Sequence, residues 1–548
     1  MFSALRTEEG LGEELEDGQP TATYYTLDEE RRRALANVDN ANFSWFHVKV
    51  SIVTGVGFFT DAYDIFAISI AAQMLGYLYG GNGSGLSRAL TQNQALGVKV
   101  ATPIGSIFGQ LVFGWLADLV GRKRMYGIEL MVIIVSTFSQ AVAGQAEAVN
   151  ILGVIVVWRF IMGVGIGGDY PLSAVISSEF ASTRNRGRLM TAVFANQGWG
   201  QLTSSIVSYI AVVSGKQALL GDSVNNMKSI DYMWRLIIGL GCVPGVIALY
   251  FRLTIPETPR FTMDIERNLR QAVLDIDNLL IRDSYWVDPD IAVQRVNAPK
   301  RSNRDFFHYF SKWENARQLV GCAYSWFALD IAFYGLILNN NTILTSIPSV
   351  TCDNTECVYH ELRKICIGNI ILSVAGLIPG YWMTFLFIDR WGRKPIQLMG
   401  FIVLTALFII MGFGYEALMK TGPGQKAFIF LYCLANFFWN FGPNTTTFII
   451  PGEAFPTRYR STAHGISAAS GKFGAVISQV GFGLLASKGG APGSDVYLGH
   501  VLEILALFMV TGVFSTLLIK ETNQRTLEEI SNEDQRGFVR GTVPLAQL

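Results

Sequence analysis

The chain has 548 residues, 50% of them hydrophobic and only 16% charged, with a mean hydropathy of +0.32. Soluble domains carry about 25% charged residues, so this composition describes a membrane protein. Forty-three basic and forty-three acidic residues cancel, leaving no ground to expect a nucleic-acid partner.

In chain order, residues 1–45 read as a polar, acidic tail with a basic cluster at Arg31, Arg32 and Arg33. No apolar core follows a basic start, so no cleaved signal peptide is expected and the first apolar run directs insertion. Apolar segments of spanning length, about 20 residues each, then recur near 46–75, 97–117, 126–145, 150–175, 189–213 and 234–254. A charged stretch, 255–316, reads as loop and short surface helices. Six more spans are expected near 317–340, 365–388, 395–417, 426–449, 462–486 and 498–519, followed by a charged tail from Lys520. The predicted architecture is all-α, with twelve transmembrane helices in two six-helix halves (46–254 and 317–519), a layout typical of transporters built from internal repeats.

Basic residues set the orientation. Arg122, Lys123 and Arg124 lie in the second connection, Arg184, Arg186 and Arg188 in the fourth, Arg390, Arg393 and Lys394 in the eighth, and Arg458 and Arg460 in the tenth. These even-numbered connections share a side with both termini, which the positive-inside rule makes cytoplasmic. A multi-pass protein of the plasma membrane is expected. The sequon at Asn82 then faces outward, whereas the one at Asn444 sits within a span and is discounted. Cys352 and Cys357 share an outward loop and are able to pair if that side is oxidising. Cys242, Cys322, Cys366 and Cys433 sit in or beside apolar runs and read as small buried hydrophobes. No zinc-like spacing appears, and no cofactor is expected. GVGIGGD (163–169) has the glycines of a dinucleotide loop but lies inside a span, without the strand–turn–helix setting that motif needs, so an enzyme is not expected.

The stretch Trp158–Gln201 concentrates the chemistry: Arg159 and Asp169 fall inside an apolar run, and Gln197 follows in the next. A charge at bilayer depth costs about 2.5–3.5 kcal/mol even on lenient scales, so Asp169 must face a partner, a cavity or a solute. A structural ion pair with Arg159 is one reading; a transport path is the other. Two loops in equivalent places echo each other, GWLADLVGRKRM (114–125) and FIDRWGRKP (387–395). An acid, a glycine and paired bases at a helix end suit a cytoplasmic latch built on Asp118, Arg122, Asp389 and Arg393, the acid meeting a neighbouring helix N-terminus. PETPRF (256–261) and PGEAFPTRYR (451–460) complete the set.

These motifs resemble the major facilitator superfamily over nearly the whole chain. GGDYPLSAVISSE (167–179), FFTDAYDIF (58–66) and FFWNFGPNTTTFIIPGE (437–453) are similar to its proton-coupled inorganic phosphate symporters, the high-affinity group of fungi and plants, and NFSWFHVKV (42–50) resembles the fungal branch. The resemblance implies uptake of phosphate with protons by alternating access. It also matches Tyr170, Gln197, Trp326, Asp330, Tyr334 and Asn444 to phosphate-contacting positions, and Lys472 to the family's span-eleven lysine. Asn440 stands one turn before Asn444.

The residue types suit that role. Trp326, Asp330 and Tyr334 recur at steps of four and share a helix face. Tyrosine, tryptophan and amide side chains donate hydrogen bonds to an oxyanion without the grip of a full charge. A carboxylate beside an anion is the informative feature: dihydrogen phosphate has a hydrogen to donate to Asp330, and sulfate does not. Sites built to receive such a hydrogen reject analogues lacking it by up to about 10⁴-fold. Lys472 is expected to balance Asp330 and to pair with it when the site is empty. Asp61 and Asp64, three apart, share a face of span one, with Arg159 an available partner. Burial favours a neutral carboxyl and a nearby arginine a charged one, a competition suited to proton carriage. Asp61, Asp64 and Asp169, with Arg159, are therefore the proton-handling candidates. A sugar porter, a carrier of organic phosphates, and a phosphate receptor without net transport are the alternatives.

Overall fold

The computed structural model describes residues 34–81, 89–222, 227–266, 271–272, 276, 299–340, 354–485 and 497–533. The basic cluster at 31–33, the sequon at Asn82 and Cys352 lie outside them. No β-strand occurs among the described residues; an isolated bridge joins Ala146 to Val149.

Twelve long helical rods run back and forth. The first six are α1 (Trp45–Tyr79), α2 (Gln92–Val120), α3 (Arg122–Ala141), α4 (Ile151–Phe180), α5 (Arg186–Ser214) and α6 (Lys228–Leu253, in two pieces meeting at residues 240–241). The second six are α7 (Trp313–Ile337), α8 (Thr355–Trp391), α9 (Arg393–Phe413), α10 (Gly422–Asn440 continued by Pro443–Ala454), α11 (Arg460–Leu485) and α12 (Leu498–Leu518). Eight of the rods are long and apolar enough to cross a membrane by composition alone. The other four, α3, α5, α10 and α11, carry inward polar residues such as Glu129, Gln197, Asn440 and Lys472, all buried, which dilute their hydropathy.

Several helices outrun the predicted spans. The eighth begins at Thr355, not near 365, so residues expected in a long outward loop are helical. Its polar first turns are held by partners, Glu361 accepting from Tyr77 Oη at 2.6 Å. Small residues let the rods close up. A Cβ on Gly163 of α4 would stand 2.3 Å from the Thr102 carbonyl of α2, and one on Gly105 of α2 would stand 2.0 Å from the Phe160 carbonyl of α4, so glycine alone permits this spacing.

Two rods are interrupted where they pass the centre. A π turn, Ser373–Leu377, is set into α8. In α10 the chain breaks at Phe441–Gly442 and restarts with Pro443 in its first turn. The carbonyl of Asn440 freed by the break accepts from Thr384 Oγ1 (2.6 Å) and Thr445 Oγ1 (2.8 Å). Breaks of this kind survive at membrane depth only where protein satisfies the exposed backbone.

Candidate functional site

The central site is built by six helices, α4, α5, α7, α8, α10 and α11. From α7, Trp326, Asp330 and Tyr334 face inward, each at most 4% exposed. Lys472 of α11 donates to Asp330 Oδ2 at 2.9 Å and lies 4.4 Å from the Tyr334 ring centre and 4.9 Å from that of Tyr170. A lysine boxed between an acid and two aromatic faces is held by charge and by cation–π attraction together. A chain of neutral groups closes the other side. Gln197 Nε2 donates to Tyr170 Oη (2.7 Å), Tyr381 Oη to Gln197 Oε1 (3.4 Å), and Asn444 Nδ2 to Tyr381 Oη (3.0 Å) and Asn440 Oδ1 (2.7 Å). Trp326 packs edge-on to His464, with ring centres 5.3 Å apart.

All eight residues predicted for phosphate binding are thus brought together. Tyr381 and His464 join them without having been foreseen. Tyr381 follows the π turn in α8, which shifts the helix register, so no spacing rule pointed to it. His464 lies two turns before Lys472 on α11, and that spacing was the available signal.

The four proton-handling candidates each have a different setting. Asp169 pairs with Arg252 Nη2 of α6 at 3.0 Å, and not with Arg159; its other oxygen accepts from Ser173 Oγ at 2.6 Å. Arg252 also binds Glu129 of α3 and stacks on Tyr126, 3.8 Å from the ring centre. Neither Arg252 nor Glu129 was singled out in the sequence, because each sits near a span end where a charge excites no suspicion. Gly57 of α1 lies against this cluster, and a Cβ there would clash with Arg252 and Asp169. Asp64 accepts from Thr137 Oγ1 at 2.8 Å. Neither carboxyl oxygen of buried Asp61 has a hydrogen-bond partner among the described residues. Arg159, the expected partner of this group, donates from Nε to the Val98 carbonyl (2.9 Å) and forms no ion pair among the described residues.

At one end of the bundle the duplicated motifs form two matching latches. Asp118 closes α2 onto the start of α11, accepting from the backbone N–H of Ser461 (3.2 Å) and Thr462 (2.7 Å). Asp389 closes α8 onto the start of α5, accepting from the N–H of Gly187 (3.1 Å) and Arg188 (3.0 Å). Both use the positive end of a helix to hold an anion. Arg122 reaches Asp118 (3.3 Å) and Glu179 (3.5 Å); Arg393 reaches Asp389 (3.0 Å) and Glu453 (2.8 Å). The motif glycines, Gly121 and Gly392, have φ of 116° and 95°, a region that side chains avoid. Beyond each, a glutamate caps the next helix: Glu257 accepts from the N–H of Arg122 and Lys123, Glu521 from those of Arg393 and Lys394. Burial pushes the Glu257 carboxyl above its usual range, against the pull of Arg122.

Both tails fasten onto the latch end. Asp39 accepts from Arg186 (3.3 Å) and Arg260 (3.0 Å). Arg260 also holds Glu528 at 2.8 Å, and Arg458 binds Glu533. Although burial raises the Glu528 carboxyl, Arg260 outweighs it and holds it at about 2. The far end is closed as well: Lys99 Nζ donates to Asn339 Oδ1 (2.6 Å), and Gln92 Nε2 to the Gly483 carbonyl (2.6 Å). Contacts thus bridge the two six-helix sets at both ends, and the residues of the central site are all buried. Cys357 is disulfide-bonded, and Cys242, Cys322, Cys366 and Cys433 are free thiols.

Residues 50–533 match the family model described as "Sugar (and other) transporter". The chain is 48% identical over 522 residues to the "Repressible high-affinity phosphate permease" of Neurospora crassa, covering 92% of this chain and 90% of that protein. It is 46% identical over 531 residues to "Inorganic phosphate transporter PHO84" of Saccharomyces cerevisiae, covering 92% and 87%. It is 36% identical over 520 residues to "Probable inorganic phosphate transporter 1-4" of rice, covering 92% and 95%. Among solved structures, the major facilitator proton:xylose symporter XylE bound to 6-bromo-6-deoxy-D-glucose superposes with a TM-score of 0.67 at 20% identity, over 89% of this chain and 98% of that one. At that identity the likeness establishes the fold.

Proposed function

The chain belongs to the sugar (and other) transporter family, is a multi-pass membrane protein of major facilitator fold, and on that premise we propose that it imports inorganic phosphate, as dihydrogen phosphate, together with protons. The observation that carries this reading is the Lys472–Asp330 pair, 2.9 Å apart, enclosed by Tyr170, Gln197, Trp326, Tyr334, Asn440 and Asn444. A sugar needs no such pair; a protonated oxyanion uses both members. Lys472 supplies the positive charge, Asp330 accepts the hydrogen that dihydrogen phosphate still carries, and the tyrosine, tryptophan and amide groups donate to the remaining oxygens. The substrate is moved without covalent chemistry.

Protons are handled by the acids of the first six helices. Asp61 has the strongest claim: it is a buried carboxyl with no hydrogen-bond partner among the described residues, and a buried polar group without a partner is costly. Asp64 stands one turn away beside Thr137, and Asp169 is tied to Arg252, so a proton arriving at Asp61 alters the balance of a connected acid cluster. The two six-helix halves rock about the central site, with Asp118, Arg122, Asp389 and Arg393 making and breaking the latch between them. The latch end faces the cytoplasm of a cell whose plasma membrane holds the protein, because basic residues crowd that end. Moving an anion into a negative interior is opposed by about 2.3 kcal/mol per charge per 100 mV, so more than one proton accompanies each phosphate.

The test is uptake of labelled phosphate into proteoliposomes under an imposed pH gradient. Accumulation with the outside acid, competed by arsenate and not by glucose, sulfate or glycerophosphate, is expected. Vesicles that concentrate no phosphate under any gradient overturn the reading.

A further inference from the structure

One small cavity touches the central site. It is lined by Tyr334 and Lys472 from the site itself and by Lys99, Thr102, Ser106 and Arg159 from α2 and α4. Lys99 and Arg159 stand two turns inside the ends of their helices opposite the latches, so the cavity lies between the site and the far end. Arg159 is 2% exposed and Lys99 is partly buried. Neither has a carboxylate oxygen within ion-pair distance among the described residues. The ammonium of Lys99 has one acceptor, Asn339 Oδ1, and Arg159 bonds through Nε alone, to a backbone carbonyl. Buried cations are ordinarily paired, since leaving one without a counter-charge is costly. Asp64 is the nearby acid that attracts Arg159, yet it forms no ion pair with it. Two cations without an ion pair among the described residues on one cavity wall, with a third at its floor, describe a place suited to an anion from outside the chain.

We propose that Lys99 and Arg159 form a second oxyanion station on the far side of the central site, where inorganic phosphate is captured before it reaches Lys472. The station rests on the transport reading above and deepens it. The cavity measures about 10 Å³, room for about one water, so phosphate occupies it only when the far ends part. That motion also frees Lys99, because its bond to Asn339 joins the two six-helix sets. The lysine thus closes the far gate when the site is shut and faces incoming anions when it is open. The hydroxyls of Thr102 and Ser106, one turn apart, supply neutral donors along the same wall.

The experiment is initial-rate phosphate uptake in proteoliposomes by wild type, Lys99→Gln, Lys99→Arg and Asn339→Leu at low and high ionic strength. Loss of a steering charge at a binding mouth lowers capture by about tenfold or more and does so chiefly at low salt. Lys99→Gln is therefore expected to raise the KM for uptake about tenfold at low salt with kcat held within about twofold, and Lys99→Arg to restore it. Asn339→Leu, which breaks the same gate bond but keeps the charge, is expected to leave KM near wild type. A wild-type KM in Lys99→Gln, or an equal rise in Asn339→Leu, overturns the station alone. Wild-type vesicles that take up no phosphate overturn the transport reading and the station with it.

Discussion

At the latch end, Asp118 and Asp389 occupy matching places in the two six-helix sets, each bound to two backbone N–H groups at a helix start, each beside an arginine and a buried glutamate. Deeper in, the sets part company. The first holds four acids, Asp61, Asp64, Glu129 and Asp169, two of them paired with Arg252, while among the described residues the second holds the pair Asp330 and Lys472. Rocking requires that both halves grip and release the same surface in turn, so a duplicated latch is kept alike. On the proposed assignment the two interiors serve different ligands, a hydrogen ion in the first and an oxyanion in the second, which accounts for their divergence. Symmetry belongs to the hinge and asymmetry to the cargo.

That contrast is broken most directly at its deepest point. Replacing Arg252 by methionine leaves Glu129 and Asp169 buried without a counter-charge, a loss of about 3–5 kcal/mol of stability. A lowered melting temperature in detergent, partly rescued by adding Glu129→Gln and Asp169→Asn, is expected; an unchanged melting temperature would show the cluster to be structurally idle. Next, Asp330→Asn should lower kcat/KM for phosphate on the order of 100-fold, since it strips one partner from a buried pair. Asp61→Asn, by contrast, should abolish gradient-driven accumulation yet keep phosphate exchange within about threefold. If the two variants fail in the same way, the division between a substrate half and a proton half is wrong.

The latches supply the sharpening test. Asp118→Asn and Asp389→Asn each weaken a charged acceptor at a helix start, worth about 0.3–2 kcal/mol. Equal shifts toward a latch-open form, read by cysteine accessibility at that end, are expected from each, with the double variant additive. The smallest effect concerns the tail strap. Glu528 is held at about 2, below its unfolded value of about 4.3, so its contribution is present above that unfolded value and is lost as pH falls toward 2. Protection of the strap against a protease should be flat between pH 8 and 5 and decline only below about 4.

The rods were legible because a bilayer demands long apolar runs, and a lysine and an aspartate placed alone among such runs have little choice but to meet. The duplicated latch was legible as a repeated string. What escaped was partner choice. Arg159 sits ten residues before Asp169 and invited pairing with it, yet α6 packs Arg252 against that acid. Which of several cations an acid meets is decided by helix packing, and that is not written in either residue. Tyr381 escaped for a related reason, as the π turn before it resets which face of α8 looks inward. The tails escaped altogether, because short charged segments gain their structure only from the surface they dock on.

Arg260 grips Asp39 from one extremity of the polypeptide and Glu528 from the other. The two segments therefore meet on one side chain in this structure, and are expected to part if that face opens during transport. A donor dye beside residue 39 and an acceptor beside residue 528 would convert each turnover into a flicker of energy transfer, making the ends of the chain a built-in clock for the carrier's cycle.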